Sequence, residues 1–323
     1  MSDPVDANFR EKLTTPVVDR VLIIGMGLIG SSIARAVKAR GVVGELIACD
    51  HSTGVCARVR ELEIADDVTN DASAAAARAD VIIFAAPVGA NEQLAREIGA
   101  HIRPGAIVSD TGSVKGDVIA AIEPHLPGGV HLVPAHPVAG TEYSGPDAGF
   151  ATLFNNRWCI LTPPAGTDET AIATMRSFWE ALGSNIEIMS AEHHDLVLAI
   201  TSHVPHLIAY NIVGTADDLE AVTQSEVIKF SAGGFRDFTR IAASDPTMWR
   251  DVFLHNKAAV LEMLGRFTED LIALQRQIRH NDGDGLFELF TRTRAIRRSI
   301  IEQGQETAAP DFGRQDHDVK LQE

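Results

Sequence analysis

The sequence predicts an α/β, doubly wound domain followed by an all-helical one. Three observations carry this. From Val21 to about Ser190, short continuous apolar runs alternate with amphipathic stretches; a glycine-rich turn joins the first run to the first helical stretch; and after Ser190 the strand pattern stops, leaving only helical periodicity. The expected organisation is a flexible arm over 1–19, a dinucleotide-binding domain over 20–190, a helical domain over 191–305 and a polar tail over 306–323.

The apolar runs are VLII (21–24), ELIAC (45–49), VIIFAA (81–86), AIVS (106–109), VHLV (130–133), CILT (159–162) and IEIM (186–189). Continuous rather than alternating apolar strands imply a parallel sheet covered on both faces. In the helical part, Ser190 is placed as an N-cap and Pro205 should kink the helix it lies in, because proline removes a donor and crowds the preceding turn. Gly214, Gly233-Gly234 and Ser244-Asp245-Pro246 punctuate the remainder of the helical part. Leu254, Val260, Leu261, Leu264, Phe267, Leu271 and Leu274 keep a helical spacing that suits a core, favoured here, or a subunit interface.

Composition narrows the partners. The 323 residues are 45% hydrophobic and 22% charged with a formal charge of -16, so a polyanion such as nucleic acid would be repelled. Cys49, Cys56 and Cys159 form no CxxC pair, which argues against a disulfide framework or structural zinc and for the cytoplasm. Residues 196–216 lack Asp, Glu, Lys and Arg and could span a bilayer, but Ser202, His203, Pro205, His206 and Asn211 make a buried, functional helix the better reading. The N-terminus has no apolar segment of signal-peptide type.

The first strand runs into Gly25-Met26-Gly27-Leu28-Ile29-Gly30 and then into a helix, and Asp50 ends the next strand. This is the Rossmann-type arrangement: the glycines allow a tight turn and close approach of a pyrophosphate, which sits on unpaired helix N–H groups. An acidic residue at Asp50 can accept from both adenosine ribose hydroxyls and repels a 2′-phosphate, which predicts NAD, with NADP less favoured. Pro87-Val88-Gly89, after a later strand, has no titratable group and could wall the nicotinamide.

Chemistry should follow the strand ends. AIVS leads into Asp110-Thr111-Gly112-Ser113-Val114-Lys115, with Ser113 placed to cap the next helix; VHLVPA leads to His136. A hydride leaving an alcohol carbon requires loss of the hydroxyl proton, and a neutral imidazole with a pKa near ~6.5 suits that task, so His136 is the candidate base. His203 and His206 are three apart but no third ligand is evident, so no metal is expected. Arg240 lies among Phe235, Phe238 and Ile241 and should be partly buried, unlike Arg292, Arg294, Arg297 and Arg298, which should share an exposed helix face.

The segments GMGLIGSS, DTGSVKG, HPVAGTEYSG, SHVPH and GGFRDFTRIAASDPTMWRD, in this order, resemble the prephenate and arogenate (cyclohexadienyl) dehydrogenase family of tyrosine biosynthesis, over about residues 20–305. The resemblance implies a dinucleotide-binding domain, a helical domain that forms a homodimer, and NAD(P)-dependent oxidative decarboxylation of prephenate to 4-hydroxyphenylpyruvate or of arogenate to tyrosine. It implies that His136 is the catalytic histidine bonded to the ring hydroxyl and that Ser113 helps hold that hydroxyl near the nicotinamide. Arg240 would bind a substrate carboxylate, His206 would orient the substrate and His203 is its helix neighbour. Thr141 and Glu142 would line the pocket, the glutamate as part of an ionic gate, with Trp249 an aromatic near that gate. The alternatives are another two-domain dehydrogenase, acting on β-hydroxy acids or imines, or a non-catalytic NAD-binding regulator; HPVAGTE and FTRIA argue against the first, and His136 with Arg240 against the second.

Overall fold

The computed structural model describes residues 13–141, 143–223 and 232–302. Its first part is a six-stranded parallel sheet built from β1 (Val18–Ile24), β2 (Val43–Cys49), β3 (Asp67–Thr69), β4 (Val81–Phe84), β5 (Ile107–Asp110) and β6 (His131–Leu132), in the order β3-β2-β1-β4-β5-β6. The strand order reverses between β1 and β4, which is where open α/β sheets form their ligand crevice.

The continuous apolar runs have a direct cause in this sheet. Val21, Ile23, Leu46, Ala48, Val81 and Ile83 pack into one core, while Leu22, Ile24, Ile47, Ile82 and Phe84 pack into another. Successive side chains point to opposite faces, so a strand buried on both sides needs apolar residues at every position. Helix α1 (Leu28–Arg40) covers the first of these cores with Ile33, Ala34, Ala36 and Val37, and ends at Gly41, whose φ of 67° is the left-handed cap that glycine adopts without strain.

Three sequence expectations change here. VHLVPA is not one strand: β6 stops at Leu132, and after Pro134 the chain enters a separate strand, β7 (Ala135–Pro137), so His136 sits in a strand rather than a loop. The last two runs, β8 (Trp158–Leu161) and β9 (Asn185–Ile188), do not extend the large sheet; they join β7 in a second sheet, β7-β8-β9, in which β7 and β8 are antiparallel. The supposed arm is tethered from Leu13 onward, because Leu13 N–H donates to the Arg40 carbonyl and Val17 N–H to that of Val42, and β1 already starts at Val18. Residues 1–12 and the tail beyond 302 lie outside the described residues.

After β9 the chain is helical. Ser190 caps α7 (Ala191–Leu198), its hydroxyl accepting from His193 N–H. Pro205 does not simply kink the next helix. A π-helical turn over Ala199–His203 precedes α8 (Val204–Thr223), widening the backbone where the proline ring would meet the Thr201 carbonyl four residues back. This stretch is one helix long and apolar enough to cross a membrane, and it is only partly buried, with Leu196, Ile200, Ile212, Val213 and Leu219 exposed. Then come α9 (Gly233–Thr239), a 3-10 turn (Arg240–Ala243), α10 (Pro246–His255), α11 (Lys257–Arg279) and α12 (Gly283–Glu302). Asp245 caps α10, with Pro246 at the position where a missing N–H costs nothing.

By compactness the chain divides within α11, into a unit ending at Leu261 and one starting at Glu262. The first unit includes α7 to α10 together with the sheets, so Ser113, His136, His203, His206, Arg240 and Trp249 all belong to it. The apolar spacing read as core is only partly so: Val260 is buried and Leu264, Phe267 and Leu274 are half-buried, but Leu254, Leu261 and Leu271 are exposed. In the second unit Ile272, Ile278, Phe287, Phe290 and Ile296 are exposed too, as are Arg292, Arg294, Arg297 and Arg298.

Candidate active site

Because β1, β2, β4 and β5 are parallel, Gly25, Asp50, Pro87 and Ser113 all follow strand ends on one edge of the sheet. The glycines differ in what they allow. A Cβ on Gly25, at φ 99°, would meet the Ala85 backbone at 2.7 Å, and one on Gly30 would fall on the Gly25 carbonyl oxygen. A Cβ on Gly27 would meet nothing within 4 Å, so that position opens onto free space. Gly27 is also the N-cap of α1 and provides no side-chain cap, so the N–H groups of Leu28, Ile29 and Gly30 head a 13-residue helix with an open end. This is the geometry a diphosphate requires.

Asp50 is buried and anchors the glycine loop, its Oδ2 accepting from Met26 N–H at 2.9 Å and its Oδ1 from Ser52 N–H at 2.9 Å. Each oxygen retains a lone pair for a ribose hydroxyl. Pro87 is exposed at the start of the short 3-10 turn Val88–Ala90.

The β5 loop holds a charge pair with no solvent contact. Lys115 Nζ lies 2.5 Å from Asp110 Oδ2, both side chains being fully buried. The pair grips the residue before His136: Lys115 Nζ donates to the Ala135 carbonyl at 2.8 Å, and Ala135 N–H donates to Asp110 Oδ1 at 3.3 Å. Ser113 does not cap the next helix. Helix α5 (Gly116–Ile122) starts three residues later, and its N-terminus is capped from α7, where Asp195 accepts from Lys115 N–H and Gly116 N–H at 2.8 Å each. A carboxylate on these donors also suits the positive end of the helix dipole. The Ser113 hydroxyl is thereby released from capping.

His136 Nδ1 is 2.8 Å from His194 Nε2, and His194 Nδ1 is 2.8 Å from Asp195 Oδ1. Burial, with help from His194, Lys115 and His203, holds His136 well below the ordinary histidine range. Burial likewise lowers His194, against the pull of Asp195. At Asp195 burial opposes ionisation, but the hydrogen bonds from His194, Gly116 and Lys115 together outweigh it and its pKa falls.

The helical segments close on the same place. His203, in the π turn, is fully buried and accepts at Nδ1 from Asn256 Nδ2 at 3.0 Å, the same amide nitrogen donating to the Asp195 carbonyl. Burial takes its pKa down to about 4. His206, one turn on, donates through Nδ1 to the Ser202 carbonyl and stacks on Trp249, ring centroids 3.6 Å apart. Trp249 in turn packs with Val114, the neighbour of Ser113. His206 is lowered chiefly by burial, and the Arg240 charge acts in the same direction, which places that guanidinium within electrostatic reach of the imidazole. Arg240 itself is half-buried at the start of its 3-10 turn, and Tyr210 OH fastens that turn to α8 by donating to the Ser244 carbonyl at 2.7 Å.

So His136, Ser113, His203, His206, Trp249 and Arg240 form one connected region. Thr141 lies on the loop after β7, its hydroxyl accepting from Tyr143 N–H. Glu142 lies outside the described residues. Among the described residues no group of three or more His, Cys, Asp and Glu is arranged to hold a metal ion. Sequence reasoning missed Asp110, Lys115, His194, Asp195 and Asn256. Asp110 and Lys115 stand in the DTGSVK run, yet nothing in a linear sequence marks a charge as buried; His194-Asp195 reads as an ordinary polar helix start.

Known proteins resemble this chain along most of its length. Residues 33–188 match the family described as prephenate dehydrogenase, nucleotide-binding domain, and residues 190–292 match prephenate dehydrogenase, dimerization domain. The chain is 44% identical to a cyclohexadienyl dehydrogenase of Zymomonas mobilis, over 88% of this chain and 97% of that one. It is 33% identical to a prephenate dehydrogenase of Bacillus subtilis, over 91% of this chain and 79% of that one. Among solved structures, prephenate dehydrogenase from A. aeolicus in complex with hydroxyphenyl propionate and NAD+ superposes with a TM-score of 0.82 at 32% identity, covering 90% of this chain and all of that one. Arogenate dehydrogenase from Synechocystis gives 0.74 at 27% identity, covering 87% of this chain and 99% of that one. With both halves matched in order and relatives this similar along most of its length, the chain belongs to the prephenate dehydrogenase family.

Proposed function

We propose that this protein carries out NAD-dependent oxidative decarboxylation of prephenate to 4-hydroxyphenylpyruvate, or of arogenate to tyrosine. The observation that carries the reading is the joining of the sheet and helical parts: Val114 of the β5 loop packs on Trp249, Trp249 stacks on His206, and the Arg240 charge acts on His206. This supports a proton acceptor at the sheet edge and a carboxylate-binding guanidinium on the helices serving one site.

When bound, NAD+ supplies a hydride acceptor. The open Gly27 position, the uncapped start of α1 and Asp50 would hold it, through diphosphate and ribose respectively. His136, kept neutral by burial, takes the proton of the ring hydroxyl as the hydride leaves the same carbon. Ser113 Oγ, free of capping duty, orients that hydroxyl. Once the ring ketone has formed, the bond to the ring carboxylate breaks, its electron pair enters the ring, CO2 departs and the phenolate oxygen regains a proton. Arg240 binds a substrate carboxylate, and His206 orients the ring with Trp249 behind it. These groups act chiefly by alignment, which in well-ordered sites contributes much of the rate.

In this reading residues 20–190 bind the nucleotide and 191–305 form a homodimer, for which the exposed Ile278, Phe287 and Phe290 provide an apolar surface. The free, buried Cys49, Cys56 and Cys159 suit a cytoplasmic enzyme.

Initial rates of NADH or NADPH formation, with prephenate and with arogenate and with each cofactor, test the reading. Turnover of at least one substrate with NAD+ is expected, and His136→Asn should lower kcat by roughly 10²- to 10⁴-fold with NAD+ affinity intact. No turnover of either substrate, or a normal kcat in the variant, would overturn it.

A further inference from the structure

The geometry points to His194 and Asp195 as positioning residues that fix the tautomer of His136, so that its Nε2 lone pair, and not an N–H, faces the substrate hydroxyl. This rests on the reading of His136 as proton acceptor, and extends it to two buried residues behind that imidazole.

The argument is one of donor accounting. Asp195 is held ionised by three hydrogen bonds, so its carboxylate only accepts, and His194 Nδ1, at 2.8 Å, must carry the proton between them. A neutral imidazole has a single N–H. With Nδ1 protonated, His194 Nε2 is an acceptor, and the atom 2.8 Å from it, His136 Nδ1, must be the donor. His136 is neutral too, so its Nε2 is bare. Each step leaves one choice. The carboxylate at the far end of the chain thereby decides the chemistry at the near end.

The arrangement has two further consequences. When His136 Nε2 takes the hydroxyl proton, the new positive charge is delocalised onto an Nδ1–H that already points at His194, which is backed by the Asp195 carboxylate; no proton need leave the ring. Asp195 also caps α5, so the group that orients both imidazoles anchors the segment carrying Ser113. Acceptor and hydroxyl-orienting serine are thus referred to one carboxylate.

The direct test is nitrogen-15 NMR of the histidines in the full-length protein with NAD+ bound, the His136 signals being assigned by their loss in His136→Asn. The Nδ1–H tautomer is expected for His136, against the Nε2–H form that free imidazole side chains favour. His194→Phe, which keeps a ring but removes the acceptor, should move His136 to a mixed or Nε2–H state. It should also lower kcat by roughly 10²-fold with the KM for NAD+ unchanged, and His194→Gln, whose amide can still accept from His136 and donate to Asp195, should recover most of that loss. An Nε2–H His136 in the wild type, or full kcat in His194→Phe, overturns the inference. The wild-type measurement needs no substrate and no folded variant other than the assignment control. The expected tautomers in a protein that turns over neither prephenate nor arogenate would leave the inference standing and remove only the proposed reaction.

Discussion

Lys115 and Asp110 are an ion pair sealed from solvent that holds both polar atoms of the Ala135 backbone, one residue before the histidine proposed to accept the substrate's proton. Burial pushes the Asp110 carboxyl up and the Lys115 ammonium down, and the attraction between the two opposes both shifts without cancelling them. Removing one partner leaves a buried charge uncompensated.

Lys115→Met should therefore cost about 3–5 kcal/mol of stability. The double variant Lys115→Met/Asp110→Leu, with no charge left to bury, should be more stable than the single one. Urea unfolding of the three proteins decides this: a loss below about 1 kcal/mol in Lys115→Met would show that the pair behaves like a solvated surface bridge.

Arg240→Gln should raise the KM for prephenate by roughly 10- to 100-fold, the loss of a charge-assisted bidentate contact, with a smaller effect on the KM for NAD+. Arg240→Lys should fall between, because an ammonium keeps the charge but not the planar fork. Steady-state kinetics with each substrate varied in turn provide the check, and an unchanged prephenate KM in the glutamine variant would take Arg240 out of the site.

How much of this the sequence could show depends on whether a residue's role was local. The glycine loop, Asp50 and the strands of the large sheet were legible because turn chemistry and two-sided burial leave a mark within a few residues. The second sheet was not: CILT and IEIM look like any other buried strand, and only the antiparallel pairing of Ala135 with Leu161 shows that they serve β7. The Ser113 cap was misread for a related reason, since a serine before a helix is a local signal while the actual cap, Asp195, is 80 residues away from Lys115 in sequence. The apolar spacing of α10 and α11 failed in the opposite sense: the segments are helical as the spacing implies, but periodicity does not say whether a residue is covered by the chain's own core.

Asp50→Ala should weaken NAD+ binding by roughly tenfold and narrow the preference for NAD+ over NADP+. Two effects combine: loss of the acceptor for Met26 N–H loosens the glycine loop, at about 1 kcal/mol per hydrogen bond, and loss of the negative charge removes the repulsion of a 2′-phosphate. Measuring kcat/KM for both cofactors in both proteins tests this. An unchanged ratio would mean that the carboxylate does not read the ribose.

Acid should destabilise the protein through its buried histidines, and His203 sets the range. Its folded pKa of about 4 lies below the ordinary value near ~6.5, so between these limits the unfolded chain binds a proton that the folded one refuses. The contribution is therefore fully present above about pH 6.5 and declines as pH falls, by roughly 3 kcal/mol for this one group by the time pH reaches about 4. The groups facing His203 are His194, His206 and the Asp195 carboxylate; burial, reinforced by the two imidazoles, outweighs the carboxylate. His136 and His194 are displaced in the same sense and steepen the decline. Melting temperatures of the wild type and His203→Gln across this range isolate the contribution, since the variant keeps every other titrating group. The variant's profile should be flatter; parallel profiles would show that His203 is protonated in the folded protein as readily as in the unfolded one.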